Sequence, residues 1–260
     1  MINATKLSGR TDRGLGIGVL NAMESATYAT IEDTLNGTER TVLTQPFTNS
    51  NVTVFDQTLR NDSYVSFINT NYLNDSIRSN VSGVITSLRD KESRYSVYGR
   101  FNLSHRNVLE LSDPYKQTGF RYDLSLSRIT GKYRFSLGRN VESDNYNIND
   151  LGFIRRNNEI SSYLNLIFRD YTPVWRIQQR YYVFGFRYRE QYKPRLFSEF
   201  LMLANTYTRF DNYSHVRLNA YLKPFLENNF YEARIEDRIY IEPLTASYYV
   251  NYGSDSRKEF

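Results

Sequence analysis

The stretch from Arg94 to His105 reads Arg-Tyr-Ser-Val-Tyr-Gly-Arg-Phe-Asn-Leu-Ser-His, and it alternates. Tyr95, Val97, Gly99, Phe101 and Leu103 fall on one parity. Arg94, Ser96, Arg100, Asn102 and Ser104 fall on the other, with Tyr98 the only large ring among them. Successive side chains of a β-strand point to opposite faces. The segment therefore has one apolar face and one cationic, hydrogen-bonding face. The same two-residue rhythm returns at Phe120/Tyr122/Leu124/Leu126, Tyr133/Phe135/Leu137, Tyr182/Phe184/Phe186/Tyr188 and Val216/Leu218/Ala220/Leu222.

Period and punctuation together predict about thirteen strands, at 2–9, 15–22, 50–59, 63–72, 81–89, 94–105, 118–128, 132–139, 159–170, 174–189, 195–210, 213–223 and 238–252. Two stretches are irregular. Ile167 breaks the phase of 160–168, and Phe200-Leu-Met-Leu203 is apolar on both parities, which suggests a bulge or a helical turn. The links alternate in length. Tight ones fall at Arg10–Gly14, Arg60–Asp62, Asp90–Ser93, Ile129–Gly131, Tyr171–Pro173 and Asp211–Asn212. Longer polar ones are expected at 23–49, 73–80, 106–117, 140–158, 190–194 and 224–237. Short turns on one side and long loops on the other are the pattern of an outer-membrane barrel.

The fold class expected is therefore all-β, an antiparallel up-and-down transmembrane β-barrel, porin-like, occupying residues 1–260 as one domain. Composition agrees. The chain carries 23 Tyr and 16 Phe but no Cys, so disulfides, thiolate metal sites and cysteine nucleophiles are excluded. The mean hydropathy of −0.59 fits a barrel in which only alternate residues meet lipid. No apolar run approaches the roughly 18 residues of a membrane helix. A sheet survives in hydrocarbon only when its backbone groups are all paired. Aromatics at strand ends (Tyr72, Tyr133, Tyr171, Trp175, Tyr188, Tyr192, Tyr213 and Tyr248) suit interfacial girdles.

Met1-Ile-Asn-Ala-Thr-Lys lacks the basic start and apolar core of a signal peptide. An odd strand count, and a first strand running inward if the long links face outside, are expected of a section of a larger barrel. Phe260 resembles a terminal outer-membrane aromatic, but Ser254–Glu259 before it does not alternate.

Candidate chemistry is sparse. His105 and His215 lie at or near strand ends, and Ser104 and His105, as strand neighbours, point to opposite faces. Gly14-Leu-Gly-Ile-Gly18 looks faintly like a phosphate loop but lacks the following helix; glycine there eases strand curvature. Arg128, Arg134, Arg139, Arg155, Arg156, Arg169, Arg176, Arg180, Arg187 and Arg189 either line a lumen and favour anions or, the reading preferred here, pair with Asp and Glu across strands or meet anionic lipid headgroups. The Arg176–Arg195 mixture of rings and cations could suit single-stranded nucleic acid, but strand alternation accounts for it, and no nucleic-acid partner is expected. The Asn-X-Ser/Thr sites at Asn51, Asn61 and Asn102 are incidental in a bacterial chain. No catalytic, cofactor-binding or metal residue is assigned, and no enzyme activity is expected.

Several segments resemble one family. Ala4-Thr-Lys-Leu-Ser-Gly-Arg10, Gly14–Ala22, Thr48–Leu59 with Ser63–Asn71, and Phe230–Tyr240 are similar to the barrel region of the domain of unknown function 5916. The resemblance implies an outer-membrane protein of Bacteroidota-type bacteria, here without the family's leading carbohydrate-binding-like sandwich and with the barrel ending early at Phe260. With that sandwich missing, glycan binding is not carried over. Outer-membrane lipid and other envelope proteins are the expected partners. The function expected is a conduit or envelope scaffold. An anchoring subunit of a larger envelope complex and a soluble all-β glycan-binding protein are the alternatives.

Overall fold

A computed structural model describes residues 1–109, 115–235 and 238–255, and its regular structure is all β. The strands are β1 (Asn3–Arg10), β2 (Leu15–Glu24), β3 (Thr27–Glu32), β4 (Glu39–Gln45), β5 (Thr48–Thr58), β6 (Tyr64–Leu73), β7 (Ile77–Arg89), β8 (Tyr95–Val108), β9 (Tyr115–Arg128), β10 (Tyr133–Glu142), β11 (Glu159–Asp170), β12 (Ile177–Gln191), β13 (Phe197–Phe210), β14 (His215–Lys223), β15 (Glu227–Asn229), β16 (Tyr240–Glu242) and β17 (Thr245–Gly253). Thirteen of them form one sheet in the order β1-β2-β5-β6-β7-β8-β9-β10-β11-β12-β13-β14-β17. The described registers are antiparallel. Twelve of the thirteen expected strands are members of this sheet; the thirteenth, 238–252, is broken at Pro243 into β16, which pairs with β15 in a separate two-stranded sheet, and β17, which joins the large one.

The sheet is not closed: among the described residues β1 pairs only with β2, and β17 only with β14. What is observed of the expected barrel is its up-and-down antiparallel sheet. Phe260, with Glu236 and Asp237 of the 230–240 motif and residues 110–114 of the 106–117 link, lies outside the described residues.

The links follow local chemistry. Tight turns hold left-handed residues: Asn61 and Asp62 (φ 57° and 51°), Ser93 (φ 50°), Gly131 (φ 88°), Trp175 (φ 52°) and Tyr213 (φ 63°). Asn and Asp tolerate this conformation, and paired left-handed residues match strand twist in a hairpin. Three expected long links differ, among them 224–237, which contains β15 paired with β16. Residues 73–80 are not a loop: β7 begins at Ile77, because Asn74 Oδ1 accepts hydrogen bonds from the N–H groups of Ser76 (3.0 Å) and Ile77 (2.6 Å) and closes a tight turn. Residues 23–49 contain the separate hairpin β3–β4, turned through Gly37 (φ 63°).

The chain divides into two compact units. One comprises Met1–Thr86, Gly99–Tyr122 and Glu142–Asn157; the other comprises Ser87–Tyr98, Asp123–Val141 and Asn158–Phe260.

In the second unit the register sorts side chains into two faces. Leu164, Phe186, Met202, Leu222 and Ala246 form one row across β11–β14 and β17. Leu166, Phe184, Ala204, Ala220 and Tyr248 form the next. The opposite face carries Asn165, Asn205, Asn219, Arg169, Tyr181, Tyr207, Arg187, Arg189 and Glu199. Ile167, which breaks the alternation, faces this second side opposite Val183. Phe200–Leu203 is continuous strand and not a helical turn. The register shift lies nearby, where Glu190 pairs with Phe197 and Arg189 with Glu199. Leu201 and Leu203 take the polar face, Leu203 seated over Gly185, where an added Cβ would meet its Cγ at 2.8 Å.

Burial inverts the rule for water-soluble proteins, in which large apolar residues are inside. Among the described residues only Val141, Tyr146, Ile160 and Leu201 are buried apolar side chains, against eleven polar or charged ones. Leu166 and Phe184, neighbours in an apolar row, are 45% and 47% exposed.

Candidate functional site

In the first unit the candidate site is the face on which the 143–157 loop lies. The sequence predicts this polar segment as a hydrated outer loop. It folds instead onto β8 and β9. Tyr146 is 1% exposed and is fixed from three sides. Asn102 Nδ2 donates to its hydroxyl at 3.0 Å. Asn157 Nδ2 donates to its carbonyl at 2.8 Å. Below it lies Gly119 of β9, where an added Cβ would stand 2.2 Å from Tyr146 N and 2.3 Å from Asn145 C. Only a glycine admits backbone at that distance.

The flanking contacts continue the docking. Ser104 Oγ, itself buried, donates to the Gly119 carbonyl at 3.3 Å and accepts the Asn147 N–H at 3.1 Å. Ser143 Oγ accepts the Phe120 N–H at 2.9 Å. Arg106 Nε donates to both Asp150 carboxylate oxygens, at 3.0 and 3.3 Å, with both side chains largely covered. Paired and hydrogen-bonded charges of this kind hold geometry well. Ile148 and Leu151 close over Ile68 and Val81, leaving a recess of about 160 Å³. Burial pushes the Tyr146 hydroxyl above its ordinary value of 10.0, with the Asn102 hydrogen bond acting the other way. It is therefore a neutral group at neutral pH. The loop is a fitted cover on a polar sheet face.

The other face of the same unit holds a ladder of amides. Asn21, Asn51 and Asn71 are in register across β2, β5 and β6. Asn21 Nδ2 donates to Asn49 Oδ1 (2.7 Å) and Asn51 Oδ1 (2.6 Å). Asn80 donates to Asn71 (2.6 Å), Asn71 to Asn69 (2.8 Å), and Asn69 to Ser82 Oγ (2.8 Å). These amides satisfy one another. Toward the tight-turn end of the same face they give way to Ile17, Phe55 and Phe67, the two rings stacked at 6.5 Å.

In the second unit the loop-side end of the polar face is a charge lattice centred on Glu199. Arg187 donates to Glu199 Oε1 from Nη2 at 2.8 Å and from Nε at 3.0 Å, and Arg189 Nε lies at 3.6 Å. Lys223 Nζ is 3.4 Å from Glu199, 2.7 Å from Glu227 of β15 and 3.5 Å from Glu242 of β16. On the other face Glu190, which shares the parity of Phe186 and Tyr188, meets Arg195 at 3.2 Å and Arg139 at 3.9 Å. The lattice is internally compensated and leaves little net field.

A family model described as a domain of unknown function, DUF5916, matches residues 1–260, the whole chain. The chain belongs to the DUF5916 family. No curated protein and no solved structure matches it.

The arginines singled out in the DUF5916 sequence separate by environment. Arg139, Arg176, Arg180, Arg187 and Arg189 pair with carboxylates. Arg134 Nε donates to the Gly131 carbonyl at 2.9 Å, and Arg169 Nε donates to the Tyr171 hydroxyl. The preferred reading, pairing with Asp and Glu, describes five of the ten. His105 lies 2.9 Å from Thr118 Oγ1, on the face opposite Ser104. His215 packs against the Tyr207 ring at 5.5 Å. In Gly14–Gly18 the first glycine makes a turn (φ 82°) and the other two lie in β2, where Gly16 makes room for Arg10. Arg10 bridges Asp56 at 2.7 Å and Thr58 at 2.7 Å. Of the three Asn-X-Ser/Thr sites, Asn51 is in the amide ladder, Asn61 is in a turn, and Asn102 holds Tyr146.

The docked loop of this DUF5916 chain escaped the sequence reading. Its signals were Gly119, which lies outside the strand's apolar set, and Tyr146, a lone ring in a run of Asn, Asp and Ser.

Proposed function

We propose that this chain builds an outer-membrane β-barrel and acts as a covered conduit or as an envelope scaffold, with lipid against its apolar face. The observation that carries the reading is the inverted burial: in the row Leu166–Phe184–Ala204–Ala220–Tyr248 the large side chains Leu166, Phe184 and Tyr248 are exposed, while serines, Asp123 and Glu227 are buried. Water penalises such rows and hydrocarbon does not. In hydrocarbon both edges, β1 and β17, need strand partners, so closure of the sheet is part of the proposal. A soluble glycan-binding role fits this surface less well, because contiguous exposed apolar rows mark an interaction surface.

The fitted 143–157 loop supports a conduit that is covered, or a scaffold without a pore, over an open channel. The experiment is purification of the full chain with and without detergent, followed by electrophoresis before and after heating and by planar-bilayer recording. A chain that needs detergent and shifts its mobility on heating is the expected result; conductance steps then identify a conduit, and a silent inserted protein identifies a scaffold. A monodisperse protein in plain buffer, with no mobility shift, would overturn the reading.

A further inference from the structure

The polar face of the second unit changes character along its strands. At the loop-side end Arg187 and Arg189 are neutralised by Glu199 and Glu159. At the tight-turn end lies a recess of about 620 Å³ whose lining includes Arg169, Gln179, Tyr181, Asn205, Arg217 and Asn219, and no carboxylate. The acids at the ends of the strands that carry it are paired with other cations. Asp170 is held by Lys132 (3.1 Å), Arg180 (2.6 Å) and the Thr172 N–H (2.9 Å), and Asp211 lies 3.6 Å from Arg176.

Arg169, Tyr181, Tyr207 and Arg217 are in register across β11, β12, β13 and β14. Strands stand about 4.8 Å apart, so the two arginine backbones are separated by roughly 14 Å with two tyrosines between them. Arg217 rests over the Tyr207 ring at 5.6 Å, and Arg169 over Tyr171 at 4.9 Å. Each guanidinium is braced, and neither meets an acidic partner among the described residues. The amides of Gln179, Asn205 and Asn219 make no side-chain hydrogen bond to a described residue. This is the opposite of the amide ladder of the first unit, where each group is used by its neighbour.

Two braced cations with spare donors, carried on backbones roughly 14 Å apart, with free amides lining the same recess, describe a ligand. Guanidinium forks match carboxylate and phosphate geometry. Amides, which both donate and accept, match hydroxyl groups. The volume lies within the range of small-molecule sites. We infer that this recess binds an acidic saccharide of about two residues, its anionic groups on Arg169 and Arg217 and its hydroxyls on Asn205, Asn219 and Gln179. The inference rests on the local geometry of β11–β14 and not on membrane insertion.

The test is calorimetric titration of the full chain, in detergent if it needs it, with digalacturonate, with the neutral disaccharide galactobiose, and with inorganic phosphate. Digalacturonate is expected to bind saturably, and galactobiose and phosphate at least about tenfold more weakly, since one charge-assisted contact is worth about that factor. Arg217→Gln and Arg169→Gln are each expected to weaken digalacturonate by about tenfold or more, while Arg40→Gln, in β4, leaves it unchanged. Should either arginine variant lose the circular dichroism of the parent, Asn219→Asp serves instead, placing a like charge against the ligand and weakening it similarly. Equal binding of acidic and neutral disaccharides, phosphate binding as tightly as digalacturonate, no saturable binding by the folded chain, or indifference to these substitutions would each overturn the assignment. Because detergent dependence is read separately, a failure here is distinct from a failure of the membrane proposal.

Discussion

Gly119→Ala is expected to expel the 143–157 loop from its sheet face. One methyl group would lie 2.2 Å from Tyr146 N and 2.3 Å from Asn145 C. Those are backbone atoms, so no rotamer change relieves the contact. The loop must lift, and with it go the burial of Tyr146, the Asn102 hydrogen bond and the Asn147–Ser104 bond. Loss of a buried aromatic costs about 3–5 kcal/mol, which corresponds to a shift of about two orders of magnitude or more in the docked population. Limited proteolysis within residues 147–156 measures it directly: cleavage should accelerate by about a hundredfold in Gly119→Ala. In Tyr146→Phe, which removes one hydrogen bond worth about 1 kcal/mol, the change should be far smaller. Equal cleavage of parent and Gly119→Ala would show that the loop does not rest where described.

The second large effect concerns the apolar face. Leu166 lies well inside β11 and belongs to a row with Phe184, Ala204, Ala220 and Tyr248. Leu166→Arg in lipid vesicles should cost about 2–4 kcal/mol, the penalty of a cation near the bilayer midplane. Ser247→Arg, on the other face and exposed, should stay within about 0.5 kcal/mol. Urea unfolding of both variants from vesicles gives the comparison. On a sheet bathed in water on both faces the two substitutions would cost about the same small amount.

Most of the sheet could be read from period two. The strand from Val216 to Lys223 alternates without interruption, and its partners Met202–Arg209 and Thr245–Gly253 follow in register. Where alternation failed, tertiary packing had intervened. Leu203 takes the polar face because Gly185 leaves a hollow for it, and no local pattern announces that pairing. The β3–β4 hairpin reads as a polar loop because its Thr and Glu content masks the β-forming Thr27-Tyr-Ala-Thr-Ile31 and the Asn36-Gly37 turn signal.

The docked loop was harder to see, for a physical reason. Its polar atoms are satisfied by Ser104, Asn102 and Asn157, partners 11 to 44 residues away in the chain. A hydrated loop and a fitted one have the same composition. The unpartnered recess was likewise hidden, since Arg169 and Arg187 look alike in sequence and differ only in whether a carboxylate stands opposite. The expected pairing of arginines with Asp and Glu describes the loop-side end of the second unit, and Arg176 and Arg180 at its tight-turn end, but not Arg169.

The chain contains no cysteine, so single cysteines can be introduced one at a time from Val216 to Leu222 and spin-labelled in vesicles. The account predicts that exposure to dissolved oxygen peaks at Val216, Leu218, Ala220 and Leu222, and exposure to a water-soluble nickel complex at Arg217, Asn219 and Tyr221. Nickel accessibility at both parities, with no two-residue alternation, would contradict it.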